Sequence, residues 1–122
     1  MRERLRAIAA FADVDDEQLD QLAAATTELH APAGRLLIER GAPGSGLFVL
    51  EEGKAVVEAP EGARTLGPGA VFGERALVGV DVRSARARAE TDVLCLAIAR
   101  PAIEKVLADR PDVGERLRRS NP

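Results

Sequence analysis

The sequence predicts a mainly β protein, an antiparallel β jelly roll (a double-stranded β-helix) with helices at its N- and C-terminal ends. Short runs of β-branched and aliphatic residues, separated by Gly- and Pro-containing turns, fill the middle of the chain. Helical periodicity of apolar residues appears at both ends. The length of 122 residues suits one domain. We expect N-terminal helices at about 2–25, a β-roll at about 26–99 and C-terminal helices at about 100–120.

The N-terminal segment predicts two short helices separated by a turn near Asp13. The first has apolar residues spaced to line one face of a helix: Leu5, Ile8 and Ala9. Asp15 and Gln18 have the spacing of a capping box, which predicts the start of the second helix. Its apolar face has the same period: Leu19, Leu22 and Ala23.

Many short strands follow, with turns between them. The predicted strands are Thr26–His30, Leu36–Glu39, Leu47–Glu52, Ala55–Ala59, Arg64–Leu66, Val71–Phe72, Ser84–Ala89 and Val93–Ile98. Such spacing favours an antiparallel sandwich or jelly roll over alternating βαβ units. Because side chains alternate along a strand, Arg86 and Arg88 should point outward and their alanine neighbours inward: Ala85, Ala87 and Ala89.

The C-terminal segment predicts two more helices. Pro101 suits a first helical position, and an apolar stripe follows it: Ile103, Val106 and Leu107. Pro111 should end this helix, since the residue before a proline avoids the helical region. Asp112 and Glu115 have capping-box spacing for a last short helix, whose apolar residues are Val113 and Leu117.

Composition argues against several classes of protein. The 17 Lys and Arg residues do not exceed the 20 Asp and Glu residues, so a dedicated nucleic-acid binder is not expected. No apolar run reaches the roughly 20 residues of a membrane span. The N-terminus does not read as a signal peptide, and we therefore expect a cytoplasmic protein.

Metal-dependent and nucleophilic catalysis are also not expected. His30 is the only histidine, which argues against a cupin-type metalloenzyme built on a jelly roll. Cys95 is the only cysteine and lies in an apolar run, so we expect a buried thiol and no intrachain disulfide. The sequence therefore predicts a binding protein without resident metal or cofactor.

One stretch, residues 71–85, has the chemistry of an anion site. A Phe-Gly-Glu at a strand end leads into one helical turn, whose free amides at Glu74–Leu77 would face a phosphate. Gly73 allows close backbone approach, and Arg83 offers a fork of donors suited to phosphate. Glu74 would repel a phosphate, but it could accept hydrogen bonds from a hydroxyl of the same ligand. A phosphate beside a hydroxyl describes a nucleotide sugar.

This stretch closely resembles the phosphate-binding cassette of the cyclic-nucleotide-binding domain family. That family includes bacterial catabolite activator proteins, protein kinase A regulatory subunits and cyclic-nucleotide-gated channels. The resemblance covers roughly residues 8–108 and extends over ordered positions outside the cassette: Phe11, Leu19, Leu22, Gly41, Leu47–Leu50, Gly53, Leu66, Gly69, Ala89–Asp92, Leu94 and Leu96.

By this resemblance, Glu74 binds the ribose 2′-OH and Arg83 the exocyclic phosphate oxygens. Leu66 and Val71 offer apolar surface near the base, and Ser84 occupies a position where purine preference is partly set. The ligand-binding residues implied are Val71, Phe72, Gly73, Glu74, Arg75, Ala76, Leu77, Arg83, Ser84 and Ala85. The expected ligand is cAMP, with cGMP as second choice, and the expected output acts on a protein partner in trans.

Several alternatives stand beside this interpretation. Glu74 and Arg83 could form an ion pair that only fastens the loop. Residues 41–46 are Gly-rich but lack the Lys-Ser/Thr of a P-loop, so a hairpin loop is the better interpretation. Arg86 stands where the family more often has a small residue. The short C-terminal helices also motivate a second hypothesis, a protein-interaction domain that keeps the fold without needing a ligand.

Overall fold

A computed structural model describes residues 1–38, 46–59, 62–72 and 86–119. The α-helices are α1 (Arg2–Arg6), α2 (Asp16–Ala24), α3 (Arg100–Asp109) and α4 (Pro111–Arg119), with a 3-10 helix at Ala9–Phe11. The strands are β1 (Thr26–Ala31), β2 (Leu36–Ile38), β3 (Gly46–Glu52), β4 (Ala55–Ala59), β5 (Gly62–Leu66), β6 (Val71–Phe72), β7 (Arg86–Ala89) and β8 (Val93–Ala99).

These strands form two four-stranded sheets. One has the order β1-β8-β3-β6 and the other β2-β7-β4-β5. The recorded strand pairs are antiparallel. This architecture confirms the predicted mainly β jelly roll, with helices before the first strand and after the last strand.

Two apolar clusters make up the core, and β8 contributes to both. Leu96 and Ile98 face the helices, whereas Val93 and Cys95 face the interior between the sheets. This alternation follows the two-residue period of a strand. Because both faces of β8 are buried, its sequence is a nearly continuous apolar run. We call the cluster that contains Leu96 and Ile98 the helix-side cluster, and the cluster that contains Val93 and Cys95 the roll-interior cluster.

The N-terminal helices agree with the sequence prediction at the cap of α2 and differ from it after α1, at Ala9. The Gln18 amide donates to Asp15 Oδ1 at 2.8 Å, which confirms the predicted cap of α2. The prediction that Ala9 shares a helical face with Leu5 and Ile8 was wrong, because Ala9 is exposed. The chain becomes extended at Ile8, and the 3-10 helix that follows buries Phe11 instead.

The C-terminal helices bury the predicted apolar faces. Ile103 and Val106 of α3, with Val113 and Leu117 of α4, belong to the helix-side cluster. The prediction that Asp112 caps the last helix was wrong, because α4 already begins at Pro111. Asp112 lies in the first turn, where its carboxylate accepts hydrogen bonds from Arg110 and Arg116.

Asp13, Arg110, Asp112 and Arg116 form a surface ion-pair group that we call the Asp13 clasp. Arg116 Nη2 lies 3.0 Å from Asp13 Oδ2, and Arg110 Nη2 lies 3.1 Å from the same oxygen. Both arginines also bind Asp112 Oδ2, at 2.8 Å from Arg110 and 2.9 Å from Arg116. The clasp therefore ties the segment after the 3-10 helix to the junction of α3 and α4.

We expect the clasp to stabilise the fold less in acid. The hydrogen bond from Arg116 is the main cause that lowers the pKa of Asp13 from 3.8 to about 2. A lowered folded-state pKa gives stability that is present above the unfolded value and is lost as the pH falls through the folded value. Asp13→Asn should therefore lower the melting temperature at pH 7, and the difference from wild type should shrink between about pH 4 and about pH 2.

Thermal denaturation of both proteins at pH 7 and pH 2.5 measures this difference. The reciprocal variant Arg116→Gln serves as the control, since Asp13→Asn should have a smaller effect in that background. A difference in melting temperature that is the same at both pH values would contradict the assignment.

Candidate functional site

The predicted ligand-binding residues fall into two groups. Val71 and Phe72 form β6. The others lie outside the described residues, and their roles stay predictions: Gly73, Glu74, Arg75, Ala76, Leu77, Arg83, Ser84 and Ala85. The hairpin interpretation of residues 41–46 also falls outside the described residues, except at Gly46. The structure therefore describes the two strands that flank residues 73–85, β6 and β7, which we call the frame.

That frame joins the two sheets. Strand β6 ends at Phe72 and pairs with β3 in the first sheet, whereas β7 begins at Arg86 and pairs with β4 and β2 in the second. Residues 73–85 consequently link one sheet to the other.

A tight turn fixes the entry into β6. The Gly69 amide donates to the Leu50 carbonyl at 2.7 Å, and the Leu50 amide donates to the Ala70 carbonyl at 2.8 Å. Gly69 has φ of +92°, a conformation that side-chain-bearing residues rarely adopt. These bonds attach the turn to β3 immediately before the predicted site begins.

The two residues of β6 face opposite sides of their sheet. Val71 is fully buried in the helix-side cluster, and Phe72 belongs to the roll-interior cluster. Phe72 stacks on Phe48, with ring centroids 5.3 Å apart and an interplanar angle of 15°. Phe72 thus reaches the roll interior directly before Gly73, while Val71 connects this strand to the helices.

The exit strand β7 shows the predicted alternation. Ala87 and Ala89 are buried in the roll interior, and Arg86 and Arg88 lie on the outer face. Both arginines pair with Glu58, at 3.1 Å from Arg86 and 2.9 Å from Arg88. The Arg86 that departs from the family pattern therefore has an outer-face partner and leaves the interior to the alanines.

The described wall of the roll interior next to this frame is apolar. Leu66, expected near the base, is 7% exposed and lies in the same cluster as Phe72 and Val57.

The sequence analysis did not predict that Phe48 lies opposite Phe72 in the β3–β6 ladder. The pattern within one strand carries no signal for this pairing, because the pairing depends on the register between two strands.

Cys95 is a structural residue. Its side chain is fully buried in the roll-interior cluster, and burial raises the pKa of the thiol to about 11, with a smaller contribution from Glu51. The thiol stays protonated at neutral pH, which confirms the interpretation of Cys95 as a small buried apolar residue.

The described part of the chain holds neither a cluster of metal-ligating side chains nor a helix that could span a membrane. In residues 1–38, 46–59, 62–72 and 86–119, no three His, Cys, Asp or Glu side chains cluster as metal ligands would. Over the same ranges, no helix has the length and apolarity needed to cross a bilayer.

Comparison with known proteins identifies the class. The family model described as "Cyclic nucleotide-binding domain" matches residues 28–110. A putative cyclic nucleotide-binding protein from Geobacter metallireducens superposes with a TM-score of 0.83 at 26% identity, covering 98% of this chain and 90% of that one. This chain belongs to the cyclic nucleotide-binding domain family.

Curated relatives place the same domain inside longer proteins. An uncharacterised NTE family protein of Mycobacterium tuberculosis is 32% identical over 112 residues, which are 90% of this chain and 19% of the relative. The CRP-like cAMP-activated global transcriptional regulator of the same species is 29% identical over 125 residues, with 98% of this chain and 56% of the regulator covered. The chain thus spans less than two thirds of these relatives.

Proposed function

We propose that this chain is a regulatory domain that binds a cyclic purine mononucleotide through residues 71–85 and passes the signal to a protein partner. The observation that carries the proposal is the frame around these residues. Phe72 and Arg86 end strands of different sheets, and both strands border an apolar interior. The sequence between them offers Glu74 for a ribose hydroxyl and Arg83 for a phosphate. The name of the Mycobacterium regulator makes cAMP the first ligand to test, with cGMP second.

The packing of β6 supplies a route for the signal. Val71, two residues before the proposed contact at Gly73, shares the helix-side cluster with Ile103 and Val106 of α3. A ligand that draws residues 73–85 inward would shift Val71 within this cluster and bias the position of α3. Such a bias requires different ligand affinities in the two states.

Calorimetric titration of nucleotide-stripped protein with cAMP and cGMP tests the proposal. We expect a dissociation constant in the micromolar range or tighter, which corresponds to about 8 kcal/mol. Arg83→Ala should weaken binding by about 100-fold or more, because it removes a charge-assisted contact to the phosphate. Arg86→Ala is the matched control, since Arg86 lies on the outer face with Glu58 and should leave affinity unchanged.

Absence of heat with either nucleotide, in a folded protein, would support the ligand-independent protein-interaction domain instead. Retained nucleotide must first be excluded. The chain has no Trp or Tyr, so bound purine would stand out as absorbance near 260 nm in the purified protein.

A further inference from the structure

Strand β1 lies at one edge of the first sheet. It pairs with β8, and in the described part of the chain no strand pairs along its other side. It is six residues long and keeps a regular register with β8 throughout. The other three edge strands are shorter: β6 has two residues, β5 has five, and β2 has three with an irregular register. Because short or irregular edges resist pairing with another chain, β1 is the edge best suited to it.

The backbone groups of Glu28 and His30 face this open edge. The Ala99 amide donates to the Ala25 carbonyl at 3.0 Å, one position before the β1–β8 ladder begins at Thr26. In an antiparallel ladder, every second residue of a strand bonds to the same neighbour. The odd-numbered residues of β1 therefore bond to β8, and the even-numbered residues turn their N–H and C=O groups outward. Glu28 and His30 are both exposed.

The sequence of β1 is complementary to itself in one antiparallel register. Two copies related by a two-fold axis at Leu29 would place each Glu28 opposite the partner's His30, with their outward backbone groups bonded to each other. On the other face the two Leu29 side chains would meet, and Leu29 already packs against the roll-interior cluster. Moving the axis to Glu28 would instead place two carboxylates opposite each other, and like charges in that position are destabilising.

The charges around Glu28 favour a donor from a second copy. Arg4 Nη1 donates to Glu28 Oε1 at 2.8 Å, and the same guanidinium donates to Glu51 Oε2 at 3.1 Å. One cation thus serves two carboxylates, and this group of three side chains keeps a net negative charge. His30 Nε2 lies 3.4 Å from Glu28 Oε2 in the same chain, longer than the roughly 2.7–3.2 Å of a good hydrogen bond. An imidazole of the second copy would add a donor where one is lacking.

We propose that β1 is a self-association edge, along which two copies of this chain pair antiparallel about a two-fold axis at Leu29. The product is one continuous sheet, in which the order β6-β3-β8-β1 of one copy is followed by β1 of the partner. Strand β6, where the proposed ligand-binding segment begins, lies at the opposite edge of its sheet. Association through β1 does not cover that edge, so this inference is independent of the proposed function.

Sedimentation velocity of the full chain at pH 7 tests the proposal. One six-residue strand offers less than the roughly 1,000 Å² of a stable interface, so we expect a weak dimer with a dissociation constant of about 0.1–1 mM. His30→Lys should tighten the dimer by about threefold or more, because it places a permanent cation opposite the partner's Glu28. His30→Glu should weaken it by about tenfold or more, because two like-charged pairs would form in each dimer.

The same changes on the other sheet are matched controls. Thr65 is exposed on β5, an edge strand of the second sheet. Thr65→Lys and Thr65→Glu introduce the same side chains and should leave the dissociation constant unchanged. Amide hydrogen exchange locates the contact: Glu28 and His30 should exchange about twofold or more slower at high protein concentration than at low, whereas Leu29, which bonds to β8, should not change. Thermal melts of each variant establish that it is folded.

Two results would overturn the inference. The first is a chain that stays monomeric up to about 1 mM. The second is a dimer that His30→Glu leaves unchanged and that gives Glu28 and His30 no added protection, since another surface would then join the copies. Both results leave the proposed function standing, and a failure to bind nucleotide leaves the association through β1 standing.

Discussion

Leu96→Ala should lower the free energy of unfolding by about 2–5 kcal/mol, the range for removing a fully buried leucine side chain from a packed core. Leu96 is 0% exposed and lies on β8 between Glu28 of β1 and Val49 of β3. Its side chain joins the helix-side cluster, so the cavity would open between the sheet and the helices. Strands on both sides hold the backbone and limit its collapse into the space, which places the expected loss well inside this range.

Urea denaturation followed by circular dichroism measures the loss. Leu36→Ala is the matched control, because Leu36 is 44% exposed on β2 and the same truncation there should cost no more than about 0.5 kcal/mol. Similar losses for the two variants would contradict the assignment of Leu96 to the core.

Gly53→Ala should lower the free energy of unfolding by about 2–5 kcal/mol, the sum of a backbone cost and a steric cost. Gly53 has φ of +89°, and a Cβ there would lie 2.2 Å from the Asp92 carbonyl oxygen. That oxygen belongs to the backbone of a turn in which Thr91 Oγ1 accepts a bond from the Lys54 amide at 2.9 Å. The turn cannot shift without breaking this bond, so the clash is not easily relieved.

Gly34→Ala isolates the backbone cost. Gly34 has nearly the same φ, +91°, but a Cβ there would meet no atom within 4 Å. We expect a loss of about 1–2 kcal/mol for this variant. The difference between the two variants measures the steric cost, and equal losses would contradict the close approach of Gly53 to Asp92.

Local chemistry explains the predictions that the structure confirmed. The Asp15 cap depends on residues three positions apart, and the outward Arg86 and Arg88 depend on alternation within one strand. The two errors, at Ala9 and Asp112, occurred where a neighbouring residue set the local backbone conformation. Ile8 is extended, and the 3-10 helix that follows it buries Phe11. Helix α4 begins at Pro111, one residue before the predicted cap.

Only part of the candidate site could be predicted from the sequence. Phe72, Glu74 and Arg83 were predicted because a strand end, a glycine and an arginine in that order are typical of a phosphate site, and the roles of Glu74 and Arg83 stay predictions. The pairing of Phe72 with Phe48 was not predicted, because it depends on the register between strands distant in sequence.

The sequence by itself determined the fold class, the family and the residues proposed to hold the sugar-phosphate, because those depend on local order along the chain. Tertiary structure decided on which side of its strand or helix each residue lies and which partners it meets there. It placed Val71 in the helix-side cluster, Phe72 in the roll-interior cluster, and Asp13 beside Arg110 and Arg116. The physical reason is that register and packing join residues distant in sequence, and the pattern within one strand does not specify its partner.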